Sequence, residues 1–515
     1  MLALPRTFAI TPILCLLLAG CLSQDQASPG IFRATPNILF ILADDQSLEA
    51  LHALSGTEVH TPHLDELVAQ GVTFTHAYNM GGWNGAICTA SRSMLNSGRS
   101  LWQVNQFRKY WQQGDSLDRT WSRIMEAHGY QTYFTGKWHV DAPAEKIFQV
   151  ARHIRPGMPP DAWARENTSR KIDSVRKAGG DPASVMPVGY FRPTHAQDQS
   201  WSPTDTSKGG FWSGGTHWSE VVRQDATDYL SLSQEQAKPF FMYVAFNAPH
   251  DPRQAPQAYQ DLYPLDSMRL PPNFSRGYSL RNEIGCDLGL RDEALAPFPR
   301  TPLAIKTHRK EYFALVSHMD DQIGIILDSL DQLGLRDNTY IIFTADHGLA
   351  MGQHGFLGKQ NMYDHSIRVP FVIAGPGLKA GKKVEADIYL QDAMPTALEL
   401  AGIPKPHYVE FHSLLGLAKG TEDQSSYSAI YGAYIHQQRM IRMKGQKLIL
   451  YPNAKRIRWR KPGDDPYEMY DFLSTPTNQY QEIADLLTAL QHQQQLWDDP
   501  LDLSFFYQQF GLTPL

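Results

Sequence analysis

Apolar residues in this chain gather into short runs without strict alternation: Ile38 to Ala43, Gln131 to Phe134, Phe240 to Phe246, Tyr340 to Phe343 and Val369 to Ile373. Runs of that length and character suit parallel strands buried on both faces. Between them lie stretches with helical spacing. Thr61-Pro62 opens one as N-cap and first-turn residue, and Gly71 closes it. Another runs from about Arg309 to Gly334, with apolar residues at Tyr312, Phe313, Leu315, Val316, Met319, Ile323, Ile326, Leu327 and Leu330. This alternation predicts an open α/β sheet built from βαβ units.

Two segments interrupt it. The stretch from about Ala142 to Thr216 is rich in Pro, Gly, Ser, Asp and Trp, and that from Pro264 to Thr307 is irregular. Loops this long inside a compact domain are either functional, as substrate-binding rims are, or disordered. After Ala401-Gly402-Ile403-Pro404 the pattern changes to shorter alternating strands, including Lys447 to Tyr451. The expected layout is a main domain over 36–402 and a smaller C-terminal subdomain over 403–515. In the latter, Arg456, Arg458 and Arg460 share one strand face by the two-residue period. Such a basic ridge suits a polyanionic glycan, or protects an edge strand from aggregation.

The N-terminus adds a statement about export. Arg6 precedes the mostly apolar run from Phe8 to Ala19, and Leu18-Ala19-Gly20-Cys21 is followed by polar Ser23 to Gln26. That is the pattern of a secretory signal, too short for a spanning helix. Leu-Ala-Gly-Cys also resembles a bacterial lipobox. That resemblance implies a signal peptide over 1–20, lipidation of Cys21, a linker over 21–35, and a membrane contact made only through the N-terminal lipid. Leu22 after the cysteine favours an outer-membrane lipoprotein, facing the periplasm or the surface. An ordinary signal peptide with a chance cysteine is the alternative.

Of 515 residues, 42% are hydrophobic and 19% charged, with a formal net charge of -6. This is a soluble globular composition without the basic excess that nucleic-acid binding needs, so nucleic acid is not expected as a partner. Four cysteines are present, and only Cys88 and Cys286 lie in the folded body. In an exported protein the two are candidates for a disulfide.

The chemistry concentrates where the apolar runs end. The first leads into Asp44-Asp45-Gln46, the second into Thr135-Gly136-Lys137-Trp138-His139, the third into Asn247-Ala248-Pro249-His250-Asp251, and the fourth into Thr344-Ala345-Asp346-His347-Gly348. In open α/β sheets ligands bind beyond the carboxyl ends of the strands. Four strand ends therefore bring carboxylates, histidines and a lysine to one edge. Each alone has a plain explanation, as helix cap, surface charge or turn residue; together they describe a site.

Cys88-Thr89-Ala90-Ser91-Arg92 then gives the site its character. Cys-x-Ala-x-Arg resembles the form in which type I sulfatases present a cysteine for oxidation to Cα-formylglycine, although a small buried thiol near a helix start would look the same locally. The resemblance extends from Pro36-Asn37 to Gln46, then through Gly136 to His139, Pro249-His250, Asp346 to Gly348, Gly358-Lys359 with Tyr363, and Arg368-Val369-Pro370. It is close over about 36 to 402 and looser over Tyr467 to Asp485.

The sulfatase resemblance implies an alkaline-phosphatase-like α/β/α sandwich with a mixed, mostly parallel sheet. It implies a divalent cation, calcium, held by Asp44, Asp45, Asp346, His347 and the oxidised Cys88. His347 stands where asparagine is often found, which suits a softer metal somewhat better. Cys88 would act as a hydrated aldehyde, Arg92 would stabilise it, Lys137 and Lys359 would clamp sulfate oxygens, and His139 and His250 would move protons. The implied partners are a sulfated carbohydrate substrate and a formylglycine-generating enzyme. A phosphonate or phosphodiester hydrolase of the same superfamily, and a non-catalytic glycan-binding lipoprotein, remain open as alternatives.

Overall fold

Every residue of strand β1 (Asn37–Ala43) is buried, as an unalternating apolar run requires. A computed structural model describes residues 35–513 except 160, 237 and 472–479. The proposed signal, the linker to Ala34 and Cys21 fall outside the described residues. Around β1 forms an eight-stranded sheet with β2 (Val72–Phe74), β3 (Gln131–Lys137), β4 (Val150–Arg155), β5 (Phe240–Ala245), β6 (Thr339–Ala345), β7 (Phe371–Ala374) and β8 (Lys382–Val384). Their order across the sheet is β8-β2-β7-β6-β1-β5-β3-β4. The five from β6 to β4 run parallel, β7 pairs antiparallel with both β6 and β2, and β8 runs parallel to β2.

Helices cover both faces. The framework helices are α1 (Pro62–Gln70), α2 (Ile87–Ser97), α3 (Trp121–Ala127), α4 (Trp218–Gln234), α5 (Pro302–Gln332) and α6 (Ala393–Leu400). Adjacent residues of β3 face opposite ways. Tyr133 meets Tyr229 of α4 at 4.9 Å between ring centroids, whereas Phe134 meets Tyr243, which in turn packs on Trp121 of α3. Helix α5 lies against α1 and α4, and α2 against α3 and α6. The result is a three-layer α/β/α sandwich with a mostly parallel sheet.

Helix α5 starts seven residues before the reading from apolar spacing. Thr301 accepts the Ala304 N–H at 3.1 Å and Pro302 occupies the first turn, so the start signal was Thr301-Pro302. The Ala142 to Thr216 segment is not all loop: Val150–Arg155 is the sheet's edge strand, and Thr168–Lys177 is helical. Val369 to Ile373 splits around Pro370, giving Arg368–Val369 in a small separate sheet and β7 in the main one.

Residues beyond 403 supply four antiparallel strands, Ile430–Tyr434, Gln438–Met443, Gln446–Tyr451 and Arg456–Arg460. The fifth strand of that sheet is Gly81–Gly82, through Ala433 N–H to Met80 O at 3.0 Å and Ile435 N–H to Gly82 O at 2.9 Å. The C-terminal portion is thus sewn to the main one immediately before helix α2. The expected arginine ridge does not form. Arg456 is exposed, Arg458 donates to Asp471 at 2.6 Å, and Arg460, only 5% exposed, donates to the Tyr363 hydroxyl at 3.1 Å. Two of the three arginines are taken up by internal partners.

Among the described residues no helix is long and apolar enough to cross a membrane.

Helix α2 is buried over all eleven residues and is tied to the strand ends by Arg92. Its Nε donates to Asp346 Oδ2 at 2.8 Å, its Nη1 donates to Lys137 O at 2.7 Å, and its Nη2 lies 3.8 Å from Asp44 Oδ1. One guanidinium therefore joins the ends of β1, β3 and β6 to the helix. Removing one member of a buried pair strands the other as an uncompensated charge, at about 3–5 kcal/mol. Arg92→Ala is expected to lower unfolding stability by that amount in urea titration. A loss below about 1 kcal/mol would show that the pair does not hold the helix.

Candidate active site

Four strand ends and the first turn of α2 converge on the Cys88 sulfur. Cys88 is 2% exposed, with His347 Nε2 at 3.2 Å and Lys359 Nζ at 3.6 Å from Sγ, and the His139 imidazole acts on the same thiol. Burial alone would raise the thiol pKa. The positive charges of Lys137, Lys359 and His347 outweigh it and hold Cys88 well below the ordinary range. The contrast is Cys286, which burial pushes well above that range. Both are free thiols, so the disulfide is not formed; the Cys286 thiol donates to Gln360 O at 3.2 Å.

Backbone geometry delivers the surrounding groups. Between Thr135 and Gly136 the register of β3 against β4 shifts, and Gly136 has φ of +96°. A Cβ there would lie 1.8 Å from Ala245 O. This irregularity turns Lys137 toward Asp44, to whose Oδ2 it donates. His139 sits at φ of +56° with its ring against Gly157; a Cβ on Gly157 would be 2.5 Å from the imidazole. Gly157 is thus a part of the site with no local sequence signature.

The carboxylates divide into two groups. Asp44, Asp45, Cys88 and His347 each offer one ligand atom within 4.8 Å of the others. Asp346 stands beside this group: its Oδ1 accepts the Asp45 N–H at 3.2 Å and lies 3.6 Å from His347 Nε2, while Oδ2 is held by Arg92. Arg92 engages carboxylates and the Lys137 carbonyl. Lys359 Nζ donates to both oxygens of Asp45 at 2.9 Å.

A divalent cation fits this cluster. Asp44 Oδ1 is buried without a hydrogen-bond partner, and burial, then the Asp346 carboxylate, raises the Asp44 pKa well above the usual range. Arg92 Nη2 faces that oxygen at 3.8 Å without hydrogen-bonding it, which leaves its lone pairs open to a cation. His347 Nδ1 donates to the Gly348 carbonyl at 2.9 Å, which leaves Nε2 facing Asp45 Oδ1 at 3.1 Å as the ligand nitrogen. Burial would lower the His347 pKa, but the Asp346 and Asp45 carboxylates raise it to about 9. A proton there occupies the place that a cation would take.

His250 is set up in the same way. Its Nδ1 donates to the Asp251 carbonyl at 2.7 Å, and its Nε2 is turned into the site, 3.7 Å from Asp45 Oδ2. Ten of the eleven sequence-selected residues lie in one cluster, all buried but the half-buried His139, and the eleventh, Cys21, falls outside the described residues. Sequence reading missed the layer behind them. Asp292 Oδ2 lies 3.8 Å from Lys359 Nζ and accepts from Gln360, while Arg291 bridges Asp292 and Asp251. Glu293 accepts the Gly358 N–H at 2.8 Å and so pins the lysine segment. The only sequence signal was a run of charges, Arg291-Asp292-Glu293, inside an irregular stretch.

Comparison with known proteins accords with this geometry. The chain spans 28% identity over 401 residues with an ulvan-active sulfatase of Formosa agariphila, covering 77% of this chain and 67% of that one. An arylsulfatase of Clostridium perfringens is 26% identical over 480 residues, 90% of this chain and 92% of its own. Among solved structures, one in complex with its substrate D-glucosamine-2-N,6-O-disulfate superposes with a TM-score of 0.66 at 19% identity, over 90% of this chain and 99% of that one. The phosphonate monoester hydrolase of Agrobacterium radiobacter gives 0.65 at 21% identity, over 89% and 96%. The family model for the C-terminal part of N-sulphoglucosamine sulphohydrolase matches residues 352–499, and the sulfatase model matches 36–403. The chain belongs to the sulfatase family.

Proposed function

We propose that this enzyme hydrolyses sulfate esters of a sulfated carbohydrate, using Cys88 after its conversion to Cα-formylglycine by a maturing enzyme, together with a bound calcium ion. The observation that carries the reading is the convergence of His139, His347 and Lys359 on one buried sulfur in the first turn of α2. A helix N-terminus favours an incoming anion. The modified residue would supply a hydroxyl nucleophile for sulfur, and the cation would polarise a sulfate oxygen.

The remaining steps fall to the chain's own residues. Lys359, held by Asp45, and Lys137, held by Asp44, set positive charge where sulfate oxygens gain negative charge. His139, whose imidazole acts on position 88, would receive the nucleophile's proton. His250, with Nδ1 fixed on a carbonyl, presents Nε2 to protonate the departing sugar oxygen. Arg92 positions Asp346 and the Lys137 backbone. The likeness to an ulvan-active sulfatase supports a carbohydrate substrate.

A phosphonate or phosphodiester activity is the second reading, favoured by the likeness to the phosphonate monoester hydrolase. Turnover of 4-nitrophenyl sulfate far above that of a matching aryl phosphodiester is expected, and the reverse order would favour the second reading. Cys88→Ala and Cys88→Ser should abolish sulfate release with folding intact. Peptide mass decides the chemistry: active enzyme whose residue 88 is an unmodified thiol would sink the proposal.

The cation makes a separate demand. Calcium at about 100 times its Kd should stabilise the protein by about 2.7 kcal/mol over the chelated form, read as a rise in Tm, and Asp44→Asn should remove that rise. An unchanged Tm after thorough chelation would count against the site. We also propose export as an outer-membrane lipoprotein anchored through Cys21. The mass of the mature N-terminus is expected to show a diacylglyceryl cysteine, and an unlipidated Cys21 would refute the anchor.

A further inference from the structure

Arg291, Asp292 and Glu293 are consecutive in the chain, yet they hold two separate parts of the catalytic cluster. Arg291 serves the His250 side. Its Nη2 donates to Asp251 Oδ2, and its Nη1 donates at 3.3 Å to Asp251 Oδ1, the oxygen that stands 3.4 Å from His250 Nδ1. The Asp251 carbonyl takes the Nδ1 hydrogen at 2.7 Å, so the backbone and the carboxylate of one residue both bear on the ring.

The next two residues serve the lysine. Asp292 Oδ2 accepts from Gln360 at 2.9 Å and lies 3.8 Å from Lys359 Nζ, while Glu293 accepts the N–H groups of Leu357 and Gly358 at 3.2 and 2.8 Å. Gly358 permits this approach, because a Cβ there would lie 3.0 Å from Glu293 Oε1. The two sides meet in Arg291, whose Nη1 also donates to Asp292 Oδ1 at 2.7 Å. Both carboxylates are buried, at 6% and 7% side-chain exposure, and Asp161 closes the third side at 3.4 Å from Nε. A planar guanidinium forked between buried carboxylates has little freedom to move.

In the proposed reaction His250 and Lys359 act on the two ends of one bond. The sulfur–oxygen bond breaks with its electron pair passing to the sugar oxygen, which takes its proton from His250 Nε2, while the Lys359 charge stays on the sulfate side. Their separation therefore has to be held closely, since a misplacement of about 1 Å costs about a hundredfold in rate.

We propose that Arg291 is a positioning residue for the proton donor: by holding Asp251 against Asp292 it fixes where His250 Nε2 stands relative to Lys359 Nζ. The inference rests on the sulfate-ester reading and adds to it a residue that acts only through others.

The test is the dependence of kcat on the leaving group. Turnover by the full-length, matured, calcium-loaded enzyme is followed on substituted phenyl sulfates, from 4-nitrophenyl to 4-methoxyphenyl sulfate, whose phenols become steadily less acidic. A less acidic departing oxygen depends more on its proton. In Arg291→Lys, which keeps the charge but not the fork, kcat is expected to fall about tenfold more on 4-methoxyphenyl than on 4-nitrophenyl sulfate, part of the hundredfold or more that a well-placed general acid contributes. A variant that had merely lost folded enzyme would lose the same factor on every substrate.

Asp251→Asn weakens the same link from its other end and leaves Arg291 on Asp292 and Asp161, so it carries the test should Arg291→Lys not fold. The two substitutions together should steepen the series no further than either alone, because they break one linkage. His250→Gln should steepen it in the same sense. A series in Arg291→Lys and Asp251→Asn parallel to that of the unsubstituted enzyme, with His250→Gln steep, overturns the proposal and leaves the sulfatase reading standing. An unchanged slope in His250→Gln removes that histidine as proton donor and the positioning role with it, whereas no turnover of any aryl sulfate by the unsubstituted enzyme refutes the sulfate-ester reading itself.

Discussion

The ion pair between Arg92 and Asp346 is the contact on which the rest of the site depends. It lies in complete burial, where neither partner has water to fall back on, and it spans the joint between a helix and a parallel sheet. Because Arg92 also takes the Lys137 carbonyl and faces Asp44, three strand ends are referenced to one guanidinium. The position of Cys88, four residues earlier on the same helix and one turn away, is fixed by the same contact. Desolvated pairs tolerate little displacement, since their attraction offsets a desolvation penalty of several kcal/mol per ion.

Around this clamp the site is an exercise in charge balance. Asp44, Asp45 and Asp346 are opposed by Lys137, Lys359 and Arg92, yet one oxygen of Asp44 is left without a hydrogen bond and the His347 ring is driven to hold a proton. Both features have one cause: more negative potential is gathered at this point than the side chains neutralise. A cation at the four-residue cluster would relieve both. It would also give an anionic substrate a reason to approach a buried edge rich in carboxylates.

The C-terminal portion and the long middle segments act on the same centre from outside. Gly81–Gly82, which pairs with the second sheet, lies just ahead of α2, so that sheet braces the approach to Cys88. Arg460, expected on a surface ridge, instead packs onto Tyr363. The segment that carries Tyr190 and Trp201 lines a cavity together with Asp251, Pro252 and Arg253, which follow His250 in sequence.

How much of this could be read from the chain alone follows from the range of each interaction. The strands β1, β5 and β6 and the polar residues that follow them were legible, because burial on both faces demands continuous apolar runs and parallel strands place their ends together. Cys88 and Arg92 were legible through a local motif. Local signals do not carry the rest. Gly157 matters only because His139 folds against it, and Asp292 only because Lys359 arrives beside it. The arginines at 456, 458 and 460 obey the strand period in sequence, but their partners Asp471 and Tyr363 come from other segments. Sequence determined which chemical groups the sheet edge presents, since strand periodicity is a property of neighbours along the chain. Which charges are satisfied and which are left for a cation or a ligand was decided by tertiary packing, because neutralisation depends on distances of a few ångströms between residues far apart in sequence.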